Sequence, residues 1–487
     1  MFTLKCKFKD AGLVAALIGV LCVSGRGDQG QNPPPPDWAR NLVIYEIATK
    51  GFTSPHGPES GTFRSLKERV PYLADLGINA IWLTGWNLAN NHFFGIWSQY
   101  ATIDPSRLDP SLGTAQDFKE LIAELHKHGI KVFLDSTEHG VVDESPLIKE
   151  HPAWFTKGTW GMTDYDWRDK NGPHPDLDQW WIGYWVRWIT EFGIDGARLD
   201  VAVGKPALWA EIKRRAAAAG HPIVVFCEGG GRDPVSDFHQ PNSPALDLAK
   251  IDMGKMFGDT DQGDVIKSVL LSSHDYSGYV ARGSRFHFGY LLFAPANFLF
   301  MSGEEFDAAF KPLPRLTPDL YGEKAPGPHS LWLYGAWMQW DQLGEKKHAD
   351  MLGDVKRLIG IRREYGDLVR ACGHGVVANI ADVDSKLADA DKDRSATTFS
   401  RPYVMWNEHH ALLVGGHTDA NRSFSFLWDV PVDRFGWKSG SYKVTDLWGN
   451  RGVKVMDAAA LAKMDVTIGP DRTTDGGLAV FEIEPAN

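Results

Sequence analysis

The stretch GIDGARLD, Gly193–Asp200, decides the fold that this sequence predicts. It follows an aromatic segment around Tyr184–Phe192 that we expect to form a helix. Ile194–Leu199 is a short β-prone run, and an acid, Asp200, comes directly after it. The stretch therefore predicts a helix followed by a buried strand, with a carboxylate at the carboxyl end of that strand.

The same alternation of strand and helix extends along the chain on both sides of this stretch. Thr114–Asp117, for example, is typical of a helix N-terminal cap. The predicted strands are Leu42–Tyr45, Ala80–Leu83, Ile130–Leu134, Ile194–Leu199, Ile223–Phe226, a sixth near Leu246–Ile251, Val269–Leu271 and Phe298–Phe300. Alternating strands and helices favour a parallel sheet, and eight such units predict an α/β fold, a closed (β/α)8 TIM barrel.

The alternation and the segments on either side of it divide the chain into four predicted regions. Lysines ahead of an apolar run, followed by small residues, predict a signal peptide over 1–25 and a secreted or periplasmic protein. The apolar run is short for a membrane span, so we expect none in the mature protein. A Pro-rich linker (26–37), the barrel (38–372, with a short inserted loop region at 140–179 after the third strand) and an antiparallel β-sandwich domain (373–487) follow.

Composition narrows the classes of partner. The chain of 487 residues carries a formal net charge of −11 and has no cluster of Lys and Arg, so nucleic acid is not an expected partner. Its four cysteines, two of them in the predicted signal peptide, give no disulfide framework. The oligomeric state is left open by the sequence.

Acidic residues far apart in the sequence each follow a predicted strand. They are Asp135, Asp200, Glu228 and Asp275, the last preceded by His274. The carboxyl ends of barrel strands share one face, so these groups should converge there. Converging carboxylates repel one another. In enzymes such groups typically have different roles, with one carboxylate ionised and another carboxyl group kept protonated by its neighbours. Glycoside hydrolysis needs such a pair, and a retaining enzyme holds the two carboxyl groups ~5–5.5 Å apart.

Four stretches in this order resemble the motifs of glycoside hydrolase family 13, the α-amylase family. They are VFLDSTEH (Val132–His139), GIDGARLDVA (Gly193–Ala202), VFCE (Val225–Glu228) and SHD (Ser273–Asp275). The resemblance covers roughly 38–370 and implies that Asp200 is the nucleophile, Glu228 the acid/base and Asp275 the group that grips ring hydroxyls. It also implies substrate-site roles for the residues that surround these acids. Arg198 would orient Asp200, His139 and His274 would donate to sugar hydroxyls, and Asp135 would have a binding or purely structural role.

Three departures from the family pattern limit these implications. Glu138 stands where an Asn often precedes His139, so we expect no obligatory metal, and no cofactor is predicted. Val203 and Gly204 replace the Lys-His pair of amylases, which should alter the leaving-group side of the cleft. Ile96 stands where a Tyr often forms a stacking platform.

The sequence as a whole predicts a retaining hydrolase of α-glucosidic bonds in oligosaccharides or α-glucans. A transglycosylase with the same machinery is the first alternative, and a non-catalytic carbohydrate-binding relative is the second. A different α-hexoside as substrate is a third. Linkage, chain length and exo or endo action stay open.

Overall fold

The computed structural model describes most of the chain between Asn32 and Ala486. The described residues are 32–57, 59–90, 98–158, 162–167, 174–201, 206–229, 235–241, 248–258, 266–274, 279–312, 336–370, 379–388, 399–470 and 477–486. The predicted signal peptide lies outside these ranges, as do Ile96, Val203, Gly204 and Asp275. Among the described residues, no helix is both long and apolar enough to cross a membrane.

Eight parallel strands form the sheet that positions the site. They are β1 Val43–Ala48, β2 Ala80–Thr84, β3 Lys131–Thr137, β4 Gly196–Asp200, β5 Val224–Glu228, β6 Phe238–Gln240, β7 Ser268–Leu270 and β8 Asn297–Met301. Their order in the sheet is β6-β5-β4-β3-β2-β1-β8-β7. The two outer strands meet, since Ile266 N–H, ahead of β7, donates to Asp237 O, ahead of β6, at 2.8 Å. The predicted (β/α)8 barrel is confirmed.

Helices lie between these strands and after them along the chain. Their bounds are Thr49–Phe52, Phe63–Glu68, Val70–Leu76, Ala115–Lys127, Pro146–Glu150, Pro175–Phe192, Pro206–Ala218, Met253–Gly258, Arg285–Leu292, Lys346–Glu364 and Gly366–Arg370. The predicted cap at Thr114 is a capping box: Thr114 Oγ1 accepts from Asp117 N–H, and Asp117 accepts from Thr114 N–H. Strands β2 and β4 are buried along their whole length, as expected for a sheet covered on both faces.

The prediction for the sixth strand was wrong. Strand β6 is Phe238–Gln240, and Leu248–Lys250 forms a single turn of 3₁₀ helix. Strand β6 is short and is fixed by polar contacts at Asp237, which accepts from Lys213 Nζ at 2.7 Å and Val225 N–H at 2.8 Å. The sequence at β6 therefore has a buried charged residue where the other strands have a run of apolar residues, and apolar patterning does not reveal the strand.

The region after β3 contains a small sheet of its own. Antiparallel strands Gly140–Val142, Phe155–Lys157 and Met162–Tyr165 lie before the helix Pro175–Phe192, so that helix begins inside the predicted loop region 140–179. Two more antiparallel ribbons extend from the barrel loops. They pair Asn87–Asn90 with Ser98–Leu108, and Phe310–Pro312 with Ala336–Met338.

The C-terminal region consists of two antiparallel sheets that enclose their own apolar core, as predicted. The strands are β9 Ile380–Asp382, β10 Asp384–Leu387, β11 Tyr403–Trp406, β12 Ala411–His417, β13 Phe424–Asp429, β14 Ser441–Asp446, β15 Val453–Asp457, β16 Met464–Ile468 and β17 Gly477–Pro485, with a short helix Ala458–Ala462. This domain packs on the barrel helix Arg285–Leu292: Tyr290 O–H donates to Arg401 O at 2.7 Å, and Tyr403 O–H donates to Tyr290 O at 2.8 Å.

Candidate active site

Two carboxylates stand at the carboxyl ends of neighbouring parallel strands. Asp200 is the last residue of β4 and Glu228 is the last residue of β5. Asp135 lies near the same end of β3, which pairs with β4 in the register Asp135 to Arg198. The structure therefore brings three of the four predicted acids to one face of the barrel. The fourth, Asp275, lies outside the described residues and directly follows His274.

One arginine connects these three acids. Arg198 is completely buried, and its Nη1 lies 2.5 Å from Asp200 Oδ1 and 3.2 Å from Asp135 Oδ1. Its Nη2 lies 3.2 Å from Glu228 Oε2. Its Nε donates to Gln240 Oε1 at 3.0 Å, from strand β6. A planar guanidinium with fixed donors suits this task, since it can face several carboxylates at set angles.

The charge of this group is unbalanced, with three carboxyl groups around one guanidinium. Burial raises the pKa of Asp200 to about 8, against the opposing effect of Arg198, and the neighbouring Asp135 and Glu228 raise it further. The cluster therefore retains a proton at neutral pH. This pKa places the proton on Asp200, whereas retaining glycoside hydrolysis needs the proton on the acid/base and an ionised nucleophile.

Asp200 and Glu228 differ in their access to solvent. The side chain of Asp200 is 12% exposed, whereas that of Glu228 is 35% exposed. Glu228 Oε2 accepts from the backbone N–H of Val201 at 2.9 Å, and Val201 has a φ of +59°. A positive φ is unfavourable for a β-branched residue, so the turn after the proposed nucleophile holds a strained conformation that directs its N–H at Glu228.

Asp135 is buried beneath the site. It accepts from Arg198, from Trp82 Nε1 at 2.9 Å and from Tyr100 O–H at 2.8 Å. Arg198 also lies over the Trp82 ring, 4.9 Å from its centroid. With these donors Asp135 orients Arg198 from below, and the substrate-binding role predicted for it stays a prediction.

The two predicted histidines lie in different surroundings. His139 is buried, with Nδ1 at 3.6 Å from Asp164 Oδ1 on the small inserted sheet. Burial lowers its pKa, although Asp164 and Glu228 oppose this effect, so His139 is neutral at neutral pH. His274 Nδ1 contacts Glu46 Oε1, and its Nε2 lies 3.1 Å from the Tyr100 hydroxyl.

Glu46, Trp82 and Tyr100 were missed by the sequence reasoning. The sequence contained one usable signal for Glu46, which is an acid inside the apolar run of the first strand, where burial demands a partner. Nothing in the sequence pairs Tyr100 with Asp135, since their contact depends on how the ribbon Ser98–Leu108 crosses the barrel.

Glu138, which stands where the family often has an Asn, accepts hydrogen bonds from two tryptophans. Its Oε1 accepts from Trp209 Nε1, and its carbonyl accepts from Trp167 Nε1 at 2.8 Å. Within the described parts of the chain, no three His, Cys, Asp or Glu residues are grouped so as to hold a metal ion.

Comparison with known proteins finds similarity between this chain and α-amylases. The model of the α-amylase catalytic domain matches residues 46–157. The intracellular maltogenic amylase of Bacillus subtilis is 26% identical over 229 residues, which are 39% of this chain and 38% of that protein. The maltogenic α-amylase of Bacillus acidopullulyticus is 30% identical over 236 residues, 40% of this chain and 39% of that protein. The chain thus spans less than two fifths of the length of these relatives.

A solved structure shares the whole architecture. The maltogenic α-amylase of Thermotoga neapolitana superposes with a TM-score of 0.64 and 17% identity, over 92% of this chain and 99% of that one. At this identity the likeness concerns the fold alone. The matched family model and the sequence relatives support membership of the chain in the α-amylase family, glycoside hydrolase family 13.

Proposed function

We propose that this protein is a retaining glycoside hydrolase that cleaves α-glucosidic bonds in oligosaccharides or α-glucans by double displacement. The observation that carries the proposal is the position of Arg198, which holds Asp200 at 2.5 Å and Glu228 at 3.2 Å from one buried guanidinium. A pair of carboxyl groups flanking the scissile bond is what this chemistry requires.

The two acids would act in sequence. In the first step Asp200 attacks the anomeric carbon while Glu228 gives its proton to the leaving oxygen, and a glycosyl ester on Asp200 forms. In the second step Glu228 takes a proton from water, which attacks the same carbon and releases Asp200. Arg198 favours the ionised form of Asp200 at the start and at the end of this cycle. Asp275 would contribute to substrate distortion, a role that rests on its sequence motif.

The names of relatives support the proposed substrate class. The names of the two Bacillus relatives describe maltogenic enzymes, and a relative in Escherichia coli, 30% identical over 203 residues, is named as a trehalose-6-phosphate hydrolase. These names support α-glucosides as substrates of this chain.

We also propose export of the protein, on the basis of its N-terminal sequence.

The acid role of Glu228 can be tested with two substrates that differ in their leaving groups. Maltose needs a proton on its leaving oxygen, whereas α-glucosyl fluoride releases fluoride without one. Glu228→Gln should lower kcat/KM for maltose by about 10²–10⁴-fold, the usual contribution of general acid catalysis. The loss for the fluoride should be far smaller, because kcat/KM reports only the first step. Equal losses for both substrates would remove Glu228 from the acid role.

A further inference from the structure

Glu304 begins the short 3₁₀ helix after β8 and contacts the segment that joins β7 to the helix Arg285–Leu292. Its Oε1 accepts from the backbone N–H of Ala281 at 2.7 Å, and its Oε2 accepts from that of Val280 at 3.3 Å. The Ser272 hydroxyl donates to the same carboxyl group. Ser272 lies just after β7, and Val280 and Ala281 lie just before the helix. One side chain therefore holds both ends of the segment 272–281.

This segment carries two of the residues that the sequence predicts to act on the sugar. His274 and Asp275 follow closely after Ser272 in the chain. The Ser272 hydroxyl oxygen also accepts from the backbone N–H of Met301, the last residue of β8, at 3.1 Å. The start of the segment is thus joined to the barrel sheet both directly and through Glu304.

The turn that carries Glu304 also receives the far end of the segment. Tyr279 O–H donates to Ser302 O at 2.8 Å. Gly303 has a φ of +93°, and a Cβ atom at this position would collide with the Tyr279 side chain. Only glycine tolerates both this φ and this close approach. The contact is a second fixed point at the same end of the segment.

A carboxyl group is an unfavourable choice at this position for packing alone. Glu304 is completely buried, and burial raises the pKa of its carboxyl group to about 8, although the hydrogen bonds from Ser272, Ala281 and Val280 lower it. Burying a polar group costs free energy unless the group is hydrogen-bonded. An apolar side chain could fill the same space, but it would offer no acceptor to either end of the segment.

We propose that Glu304 is a positioning residue that fixes the segment 272–281 and thereby places His274 and Asp275 for their action on the sugar. This inference rests on the proposed function of the site, which it deepens. A misplacement of a substrate-positioning group by about 1 Å can cost about 10²-fold in rate, so the loss of this support should reduce turnover.

Glu304→Gln tests the support directly. Glutamine keeps the shape of the side chain and one carbonyl oxygen, but its amide nitrogen cannot accept from a backbone N–H. Hydrogen exchange of the full chain, followed by mass spectrometry of peptides that span Val280 and Ala281, should be faster than in the wild type by about tenfold or more. Unchanged exchange at both amides would overturn the inference.

Glu305→Gln is the matched control. Glu305 is also completely buried, and its hydrogen-bond partners within the described part of the chain are Tyr45 O–H at 2.7 Å, Tyr72 O–H at 2.5 Å and Gly303 N–H at 2.7 Å. Its substitution should leave exchange at the two amides of the segment close to the wild-type rate. Equal acceleration in both glutamine variants would indicate a general loosening of the turn after β8 and would overturn the specific role of Glu304.

Activity per folded molecule provides the second readout. Glu304→Gln should lower kcat and kcat/KM by about 10-fold to 10²-fold, and equally for maltose and α-glucosyl fluoride, because the segment acts on the sugar ring and not on the leaving group. In an Asp275→Asn background the same substitution should cost less than about twofold, since the group that it places is already lost. Fully additive losses, or full activity of Asp275→Asn itself, would overturn the inference.

Ser272→Ala keeps the test available if Glu304→Gln does not fold. It removes one of the donors to Glu304, so it should cause a smaller loss of kcat that again disappears in the Asp275→Asn background. The exchange measurement does not depend on turnover. Rapid exchange in Glu304→Gln with normal turnover defeats this inference alone, whereas slow exchange in a wild type that hydrolyses no α-glucoside defeats the proposed function and leaves the support of the segment standing.

Discussion

Asp200→Asn is expected to lower kcat/KM by about 10⁴-fold or more for maltose and for α-glucosyl fluoride alike. An amide cannot form the glycosyl ester, and neither leaving group relieves that need. The substitution removes one of the carboxyl groups that compete for Arg198, so the fold should persist. Initial-rate measurements on the two substrates, with thermal unfolding of the same samples, check both statements.

Asp195→Asn is the matched control for this loss. Asp195 precedes β4 at the opposite end of the same strand, is 8% exposed, and accepts from Lys131 Nζ at 2.9 Å and His126 Nε2 at 2.8 Å. Its substitution should reduce stability while leaving kcat/KM within a few-fold of the wild type. If Asp195→Asn abolished turnover as completely as Asp200→Asn, the loss could not be assigned to the nucleophile.

Arg198→Met should have the largest effect on folding. The methionine would leave Asp135, Asp200 and Glu228 close together with no cation between them, and breaking a buried charge pair in this way costs about 3–5 kcal/mol. The free energy of unfolding, measured in urea with circular dichroism, should fall by that amount. Activity per folded molecule should also fall, because Asp200 loses the group that favours its ionised form.

Two further variants test whether the loss of activity is specific to Arg198 and whether it depends on the charge or on the planar geometry of that side chain. Arg285→Met breaks another buried pair, Arg285 Nε to Asp354 Oδ2 at 3.1 Å between two outer helices, and should destabilise the fold with activity per folded molecule unchanged. Arg198→Lys keeps the charge and loses the planar fork, so its stability should lie between those of Arg198→Met and the wild type. Full activity in Arg198→Lys would show that the fork geometry is not needed.

The strand and helix series was predictable because most barrel strands are buried on both faces. Ile44, Ile81 and Leu299 each have an apolar residue on both sides in the chain, and such runs stand out in a sequence. The ends of those strands were predictable for the same reason, and this placed Asp200 and Glu228 on one face. The prediction failed at β6. This strand has three residues and is held by the buried Lys213–Asp237 ion pair, and it contains no run of apolar residues.

The contacts around the acids were less accessible to sequence reasoning. Arg198 could be placed beside Asp200, two residues away on the same strand, but its contacts with Asp135 and Glu228 depend on strand register. The contact between Glu46 and His274 joins residues 228 positions apart. Such contacts are set by barrel closure and by the path of one ribbon, and neither leaves a local pattern.

The central claim is that Asp200 and Glu228 cleave α-glucosides with retention, and the anomer released first tests it most directly. Proton NMR of maltose hydrolysis, recorded before mutarotation, should show the α-anomer with the wild type and no product with Asp200→Asn. Release of the β-anomer first would contradict double displacement, since a single displacement inverts the anomeric centre.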